Sequence, residues 1–335
     1  MQQRHRAIAL FSGGLDSILA VKAIQAQHID VLAVNFTSPF FGCAPNEGGV
    51  STAAFYAERY GIPFRQIPLG IDFLDMIRHP RHGYGSAMNP CIDCKTFMVR
   101  CAAQVMESEG ADCLVTGEVV GQRPMSQRLD TLRLIEKDSG LGGLLVRPLS
   151  ARFLPATTPE REGWLDRMAL PAIRGRGRKE QIRLAAEWGV DQYPAPGGGC
   201  LLTEESFIPK VKDLLEHQRV PVVRDFDLLR VGRHFRVSDQ CKVIIGKHLA
   251  DNEQLLAAAT SDDMTIRWLG GASPMGLVIG EAGEVELHLA ARLLMRYTKA
   301  ERGQLATLSA YRGGVRHELQ VMHDIDEQTL EQQRV

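Results

Sequence analysis

Six residues near the start of the chain, Ser12-Gly13-Gly14-Leu15-Asp16-Ser17, limit its fold more than any other stretch. An apolar run over residues 6–11 leads into them, and helical spacing (Ile18, Leu19, Val21, Ile24) leads out. A buried strand, a glycine turn and a helix, in that order, open a parallel α/β sheet. Amides at the helix start and the helix dipole make such a turn an anion site, and glycines let backbone approach a phosphate. The loop has no lysine, so it is not GxxxxGK[ST], and it is not GxGxxG. The bland alternative is a glycine turn that does nothing but open a helix.

The alternation continues. Residues 31–36 and 64–69 read as strands, 51–60 as a helix closed by Gly61, 94–109 as a strong helix and 113–116 as a fourth strand. Strands alternating with helices predict an α/β fold, a doubly wound parallel sheet. Its site belongs beyond the carboxyl ends of the strands, where Ser12, Asn35 and Gly117 fall. Residues 148–159 read as a Pro/Thr-rich loop, 178–188 as a basic helix and 194–200 as a glycine-rich loop. A helix over 204–218 closes the first domain, residues 1–219. Beyond it, short strands (241–245, 265–269, 276–279) and helices (252–259, 285–297) predict a smaller α+β domain over 220–330, with a frayed tail after Asp324.

The 335 residues suffice for two cores, and the formal net charge of -1 leaves room only for local basic patches as nucleic-acid contacts. The polar start and the absence of a long apolar stretch predict a cytoplasmic protein with no membrane partner. Seven cysteines, an odd number in a reducing compartment, argue against a disulfide framework. Cys91 and Cys94 form one CxxC, and Cys200 lies in a glycine-rich loop that can approach them. One CxxC leaves zinc short of ligands. Three thiols with an open position suit an iron–sulfur cluster, and a metal-free reactive pair is the alternative. Cys43, Cys101, Cys113 and Cys241 read as packing residues. Arg174-Gly175-Arg176-Gly177-Arg178-Lys179 is a candidate nucleic-acid-backbone contact or a solvated face, Arg123 a phosphate contact or a surface ion pair. His79 and His82 read as loop residues rather than metal ligands.

The loop Ser12–Ser17 resembles the PP-loop of the adenine-nucleotide α-hydrolase superfamily, HUP-like in fold. With Asn89-Pro90-Cys91-Ile92-Asp93-Cys94-Lys95, Thr116-Gly117-Glu118 and Gly121-Gln122-Arg123-Pro124-Met125-Ser126-Gln127, it is similar to the ThiI-type tRNA thiolation domain, and Gly199-Cys200-Leu201-Leu202-Thr203 is similar to the second-cysteine loop of the 2-thiouridylase relatives. The resemblance covers roughly residues 5–215 and implies ATP as substrate. Ser12, Gly13, Gly14 and Ser17 then hold phosphate, Asp16 helps hold Mg²⁺, and Asn35 and Gly117 line the nucleotide site. It also implies a 4Fe–4S cluster on Cys91, Cys94 and Cys200, catalytic together with Asp16. The partners implied are tRNA and a sulfur donor, sulfide or a persulfide carrier. The activity is that of a tRNA thiouridine synthase, which adenylates a uridine carbonyl and replaces its oxygen with sulfur. Two departures from full-length ThiI concern how RNA is held and where sulfur comes from: no THUMP segment precedes the loop and no rhodanese-like carrier follows. From Ile245-Gly246-Lys247 through Asp251-Asn252-Glu253 to Asp262-Asp263, the chain is similar to the NFACT RNA-binding domain. An adenylating enzyme with a small-molecule acceptor, for amidation or sulfur insertion, and a non-catalytic nucleotide-dependent RNA-binding protein are the competing expectations.

Overall fold

The computed structural model describes residues 4–42, 50–197 and 200–335. Cys43 and the glycines Gly198 and Gly199 lie outside them. The chain divides into two compact units, Met1–Glu204 and Glu205–Val335.

The first unit is built on β1 (Arg6–Leu10), α1 (Leu15–Gln25), β2 (Asp30–Thr37), α2 (Thr52–Arg59), β3 (Phe64–Pro68), α3 (Ile71–Arg78), α4 (Cys91–Ser108), β4 (Cys113–Thr116), α5 (Leu129–Ser139) and β5 (Leu145–Val146). The short α6 (Thr158–Arg161) and α7 (Lys179–Glu187) complete it. Its five strands run parallel in the order β3-β2-β1-β4-β5. Alternate residues of each strand feed opposite cores, as the pleat requires. Ala7, Ala9, Val31, Ala33 and Val115 pack with Ile18 and Leu19 of α1 and Leu184 of α7. Ile8, Leu32, Val34 and Leu114 pack with Val99 and Ala102 of α4 and Ile135 of α5. Helices therefore cover both faces. Residues 148–159, expected as a loop, include a 3-10 helix over Pro148–Phe153. Its Leu149 is fully buried, and Ser150 Oγ bridges Val120 N (3.0 Å) and Ile173 O (2.6 Å). Proline at the first helical position starts such a turn rather than forbidding it.

The second unit comprises α8 (Ile208–His217), α9 (Val223–Leu228), β6 (Arg233–Ser238), β7 (Cys241–Ile245), α10 (Leu249–Ala258), β8 (Met264–Trp268), β9 (Gly276–Gly280), α11 (Glu284–Met295), β10 (Leu305–Arg312), β11 (Val315–Met322) and α12 (Glu327–Gln333). Its sheet is antiparallel in the order β11-β10-β8-β9-β7-β6. Ala290, Leu293 and Leu294 of α11 pack on one face, and Leu228 and Leu255, from α9 and α10, on the other.

Two expectations are corrected here. The division falls at Glu204 rather than at 219, because α8 belongs to the second unit. Asp213 on α8 accepts from Arg236 Nε and Nη2 at 2.7 and 2.8 Å and from Lys242 Nζ at 2.6 Å. The tail after Asp324 is not frayed: Asp326 caps α12 by accepting from Thr329 N at 2.7 Å, and Ile325 and Leu330 are buried.

Candidate nucleotide and sulfur site

The glycine loop leaves β1 and enters α1. Phe11 N still donates to Val34 O at 2.9 Å, and the chain then turns through Gly13 at φ +75°. A Cβ on Gly13 would stand 2.8 Å from Thr52 O and 2.9 Å from Ala53 Cα, so close packing against α2 and the left-handed backbone both demand glycine. Gly14 caps α1 without a side-chain bond. Ser17 Oγ donates to Gly14 O at 2.8 Å and lies 3.4 Å from Ser12 Oγ, which accepts from Gly14 N at 3.4 Å. The first-turn amides of a helix have no intrahelical acceptor, so Ser12, Gly13, Gly14 and Ser17 frame an anion cradle.

Sheet order reverses about β1, which puts the crevice between the ends of β1 and β4. Gly117 stands at that end of β4. A Cβ there would lie 2.6 Å from Asp16 C and O and 2.7 Å from Ser17 N. The strand end thus abuts the first turn of α1.

Asp16 Oδ2 accepts from Gln122 Nε2 at 2.7 Å and from Arg178 Nη2 at 3.2 Å, and Gln181 Nε2 donates to Gln122 Oε1 at 3.0 Å. Its Oδ1 is buried with no hydrogen-bond partner among the described residues. Asn35, inside β2 rather than at its end, donates Nδ2 to Phe11 O at 2.8 Å, and its Oδ1 also has no such partner. Buried acceptors left unmatched are costly unless a ligand completes them. A carboxylate oxygen beside an anion cradle fits a cation that accompanies phosphate. Arg178, a member of the basic segment 174–179, is turned onto the loop's acid.

Helix α4 starts at Cys91, three residues before the predicted start, so Cys91 and Cys94 share one face of its first turn. Asn89 Nδ2 donates to Cys91 Sγ at 3.1 Å, and Leu201 N donates to Phe40 O at 3.1 Å beside Cys200. Burial pushes the Cys94 thiol up to about 12, Lys95 pulls it down, and Cys200 and Cys91 push it further up. Burial raises Cys200 as well, with Cys91 adding to the rise and Arg123 opposing it. The three sulfurs therefore share one electrostatic neighbourhood, with Arg123 and Lys95 as the nearby cations. A helix start favours thiolate; at Cys94 desolvation outweighs it. The six cysteines among the described residues are free. Among the described residues, no three His, Cys, Asp or Glu side chains converge on a single ion. A cluster spaces its cysteines more widely than one ion does, because irons stand between them.

A buried carboxylate joins the two halves of the site. Glu118 Oε2 accepts from Arg147 Nε at 3.1 Å and Thr116 Oγ1 at 3.0 Å, and Lys95 Nζ lies 4.0 Å from Oε1. Burial drives this carboxyl up, but Lys95 and Arg147 outweigh it and hold it below the usual carboxylate range. Glu118 and Gln122 were legible as motif members without a role. Gln181 was missed, although a polar residue on the apolar side of α7 was its signal. His82 pairs with Asp138 at 2.9 Å, as a loop residue does.

Residues 2–151 match the family described as "Thiamine biosynthesis protein (ThiI)", and residues 232–333 match "NFACT protein RNA binding domain". Residues 2–151 are thus similar to a ThiI domain, and residues 232–333 to an NFACT RNA-binding domain. The chain is 34% identical over 143 residues to the tRNA sulfurtransferase of Yersinia pestis (strain Pestoides F), covering 42% of this chain and 28% of that protein. It therefore spans under a third of the length of the curated relatives it matches. Solved structures that it matches include a 4-thiouridine synthetase–RNA complex with bound ATP (22% identity, TM-score 0.33, 56% of this chain and 52% of that one). Another is the U34-tRNA thiolase NcsA from Methanococcus maripaludis with its [4Fe-4S] cluster (19%, TM-score 0.32, 68% and 74%).

Proposed function

We propose that this chain is an ATP-dependent tRNA sulfurtransferase that adenylates a uridine carbonyl and replaces its oxygen with sulfur. The observation that carries the reading is the packing of Gly117 against the first turn of α1, at the sheet's switch point, beside an acid with one unmatched oxygen. The ThiI-type match and the tRNA sulfurtransferase relative support the acceptor and the chemistry. The NFACT-type match supports RNA binding by the second unit.

The amides and hydroxyls of Ser12, Gly13, Gly14 and Ser17 hold the pyrophosphate end of ATP, and Asn35 and Gly117 border the nucleotide. Asp16 would help hold Mg²⁺, which would supply neutralising charge for the departing pyrophosphate. The uracil carbonyl oxygen bonds to the α-phosphorus and pyrophosphate leaves. Hydrosulfide sulfur then bonds to that carbon, the C–O bond breaks, and AMP departs with the original oxygen while the sulfur proton is released. A base within folded tRNA leaves its stack to reach the site.

Cys91, Cys94 and Cys200 would hold a 4Fe–4S cluster, which would supply a binding place for the incoming sulfur. The sulfur donor is sulfide or a persulfide carrier, and the setting is the cytoplasm. The test is product analysis with tRNA present and absent: AMP and pyrophosphate should form only with tRNA. ADP and phosphate would overturn the loop assignment, and AMP formation indifferent to tRNA would overturn the acceptor.

A further inference from the structure

Arg178 is the one member of the basic segment 174–179 whose side chain reaches the glycine loop in an ion pair, at 3.2 Å from Asp16 Oδ2. It stands at the N-cap of α7, a nine-residue helix, without a side-chain cap bond. Its side chain is 27% exposed, and among the described residues that single bond engages one of its donors. A guanidinium offers five donors in a planar fork suited to phosphate oxygens. The same carboxylate oxygen already accepts from Gln122 at 2.7 Å, so Arg178 is not needed to satisfy it. Asp16 Oδ1, buried and unmatched, points to a ligand at this place independently of the arginine. Other arginines of the segment behave differently: Arg174 stacks its guanidinium 4.9 Å from the centre of the Phe153 ring, and Arg176 is exposed.

We propose that Arg178 is a nucleotide-binding residue, which grips the β- and γ-phosphates of ATP with the donors left open by Asp16, and that it is not a tRNA contact. The proposal rests on the ATP reading above and deepens it. Gln122 and Gln181 form the backing that keeps Asp16 in place while the fork turns to phosphate, since Gln181 Nε2 holds Gln122 Oε1 at 3.0 Å.

The test is equilibrium binding of ATP, AMP and unmodified tRNA to the full chain, native and Arg178→Gln, with Arg176→Gln as an equal-charge control. Arg178→Gln should weaken ATP about tenfold, the loss of one charge-assisted bond, and leave AMP and tRNA affinity unchanged. Its salt dependence for tRNA should match the native slope, and Arg176→Gln should bind ATP as the native chain does. Unchanged ATP affinity, an equal loss for AMP, or a tRNA salt slope lower by about one would overturn the proposal. If Arg178→Gln fails to fold, Arg178→Lys carries the test: it keeps the charge but loses the fork, so ATP affinity should fall by part of that factor, and native affinity would overturn the proposal. A native chain that binds no ATP would sink the nucleotide reading itself, which separates that failure from this one.

Discussion

Gly117 illustrates how one residue can fix a site. Its missing Cβ is what lets the end of β4 touch the first turn of α1, and a methyl group there would press on backbone at 2.6 Å. Backbone cannot yield as a flexible side-chain tip can. Gly117→Ala should therefore push the loop off its geometry and weaken ATP at least tenfold, while circular dichroism shows the sheet intact; native ATP affinity would contradict this. At the sulfur end, Ala at Cys91, Cys94 or Cys200 should abolish thiolation and spare ATP binding, with iron lost from anaerobically prepared protein. A fully active, iron-free chain would remove the cluster and leave persulfide chemistry. The glycine turn and the Cys91–Cys94 pair were legible because glycine turns and CxxC spacing act over a few neighbouring residues. The Asp16–Arg178 pair was not, because 162 residues separate its members and only the packed sheet brings them together.

Elements were readable in proportion to how local their signals are. β4 coincides with the predicted 113–116, since three apolar residues and a threonine bounded by turns leave no choice. β10 and β11 went unread, because one face of that hairpin is exposed and polar, and the Gly313-Gly314 turn is the only strong cue. α8 was seen but assigned to the wrong unit. Its apolar stripe says that it packs and not on what; the partners of Asp213 decide it. Asp213 keeps its carboxyl ionised against burial: Arg236 and Lys242 hold it down to about 2. Asp213→Leu should leave Lys242 buried and unpaired and destabilise the second unit by about 3–5 kcal/mol, and adding Lys242→Met should restore most of it. Equal losses for the single and double variants would refute the pairing. Beside them His234 is fully buried, and its pKa is pushed well below the ordinary value by burial and then by Lys242 and Lys210. A group that binds its proton only when unfolded costs stability below its unfolded value, about 6.5, so stability should be level above neutrality and fall from pH 7 to 5. Urea unfolding followed through Trp268, with Trp164 and Trp188 replaced by Phe, checks this. His234→Gln should flatten the fall, and a native profile already flat across that range would contradict it.

At the scale of the whole molecule, the first unit gathers the nucleotide loop and the three thiols, and the second carries the NFACT-type match. Removing residues 205–335 should weaken tRNA binding at several salt concentrations and leave ATP affinity within a factor of two or so. Unchanged tRNA affinity would take the second unit out of RNA recognition. A cut at residue 219 would leave α8 behind without Arg236 and Lys242, and that fragment should be less soluble. The central claim is sulfur transfer to tRNA at the expense of ATP. Its most direct test is nucleoside mass spectrometry of tRNA incubated anaerobically with the reconstituted chain, ATP and sulfide, beside an Asp16→Ala control. A thiouridine that appears only with ATP and the native chain is the predicted result; tRNA left unmodified while AMP accumulates would contradict it.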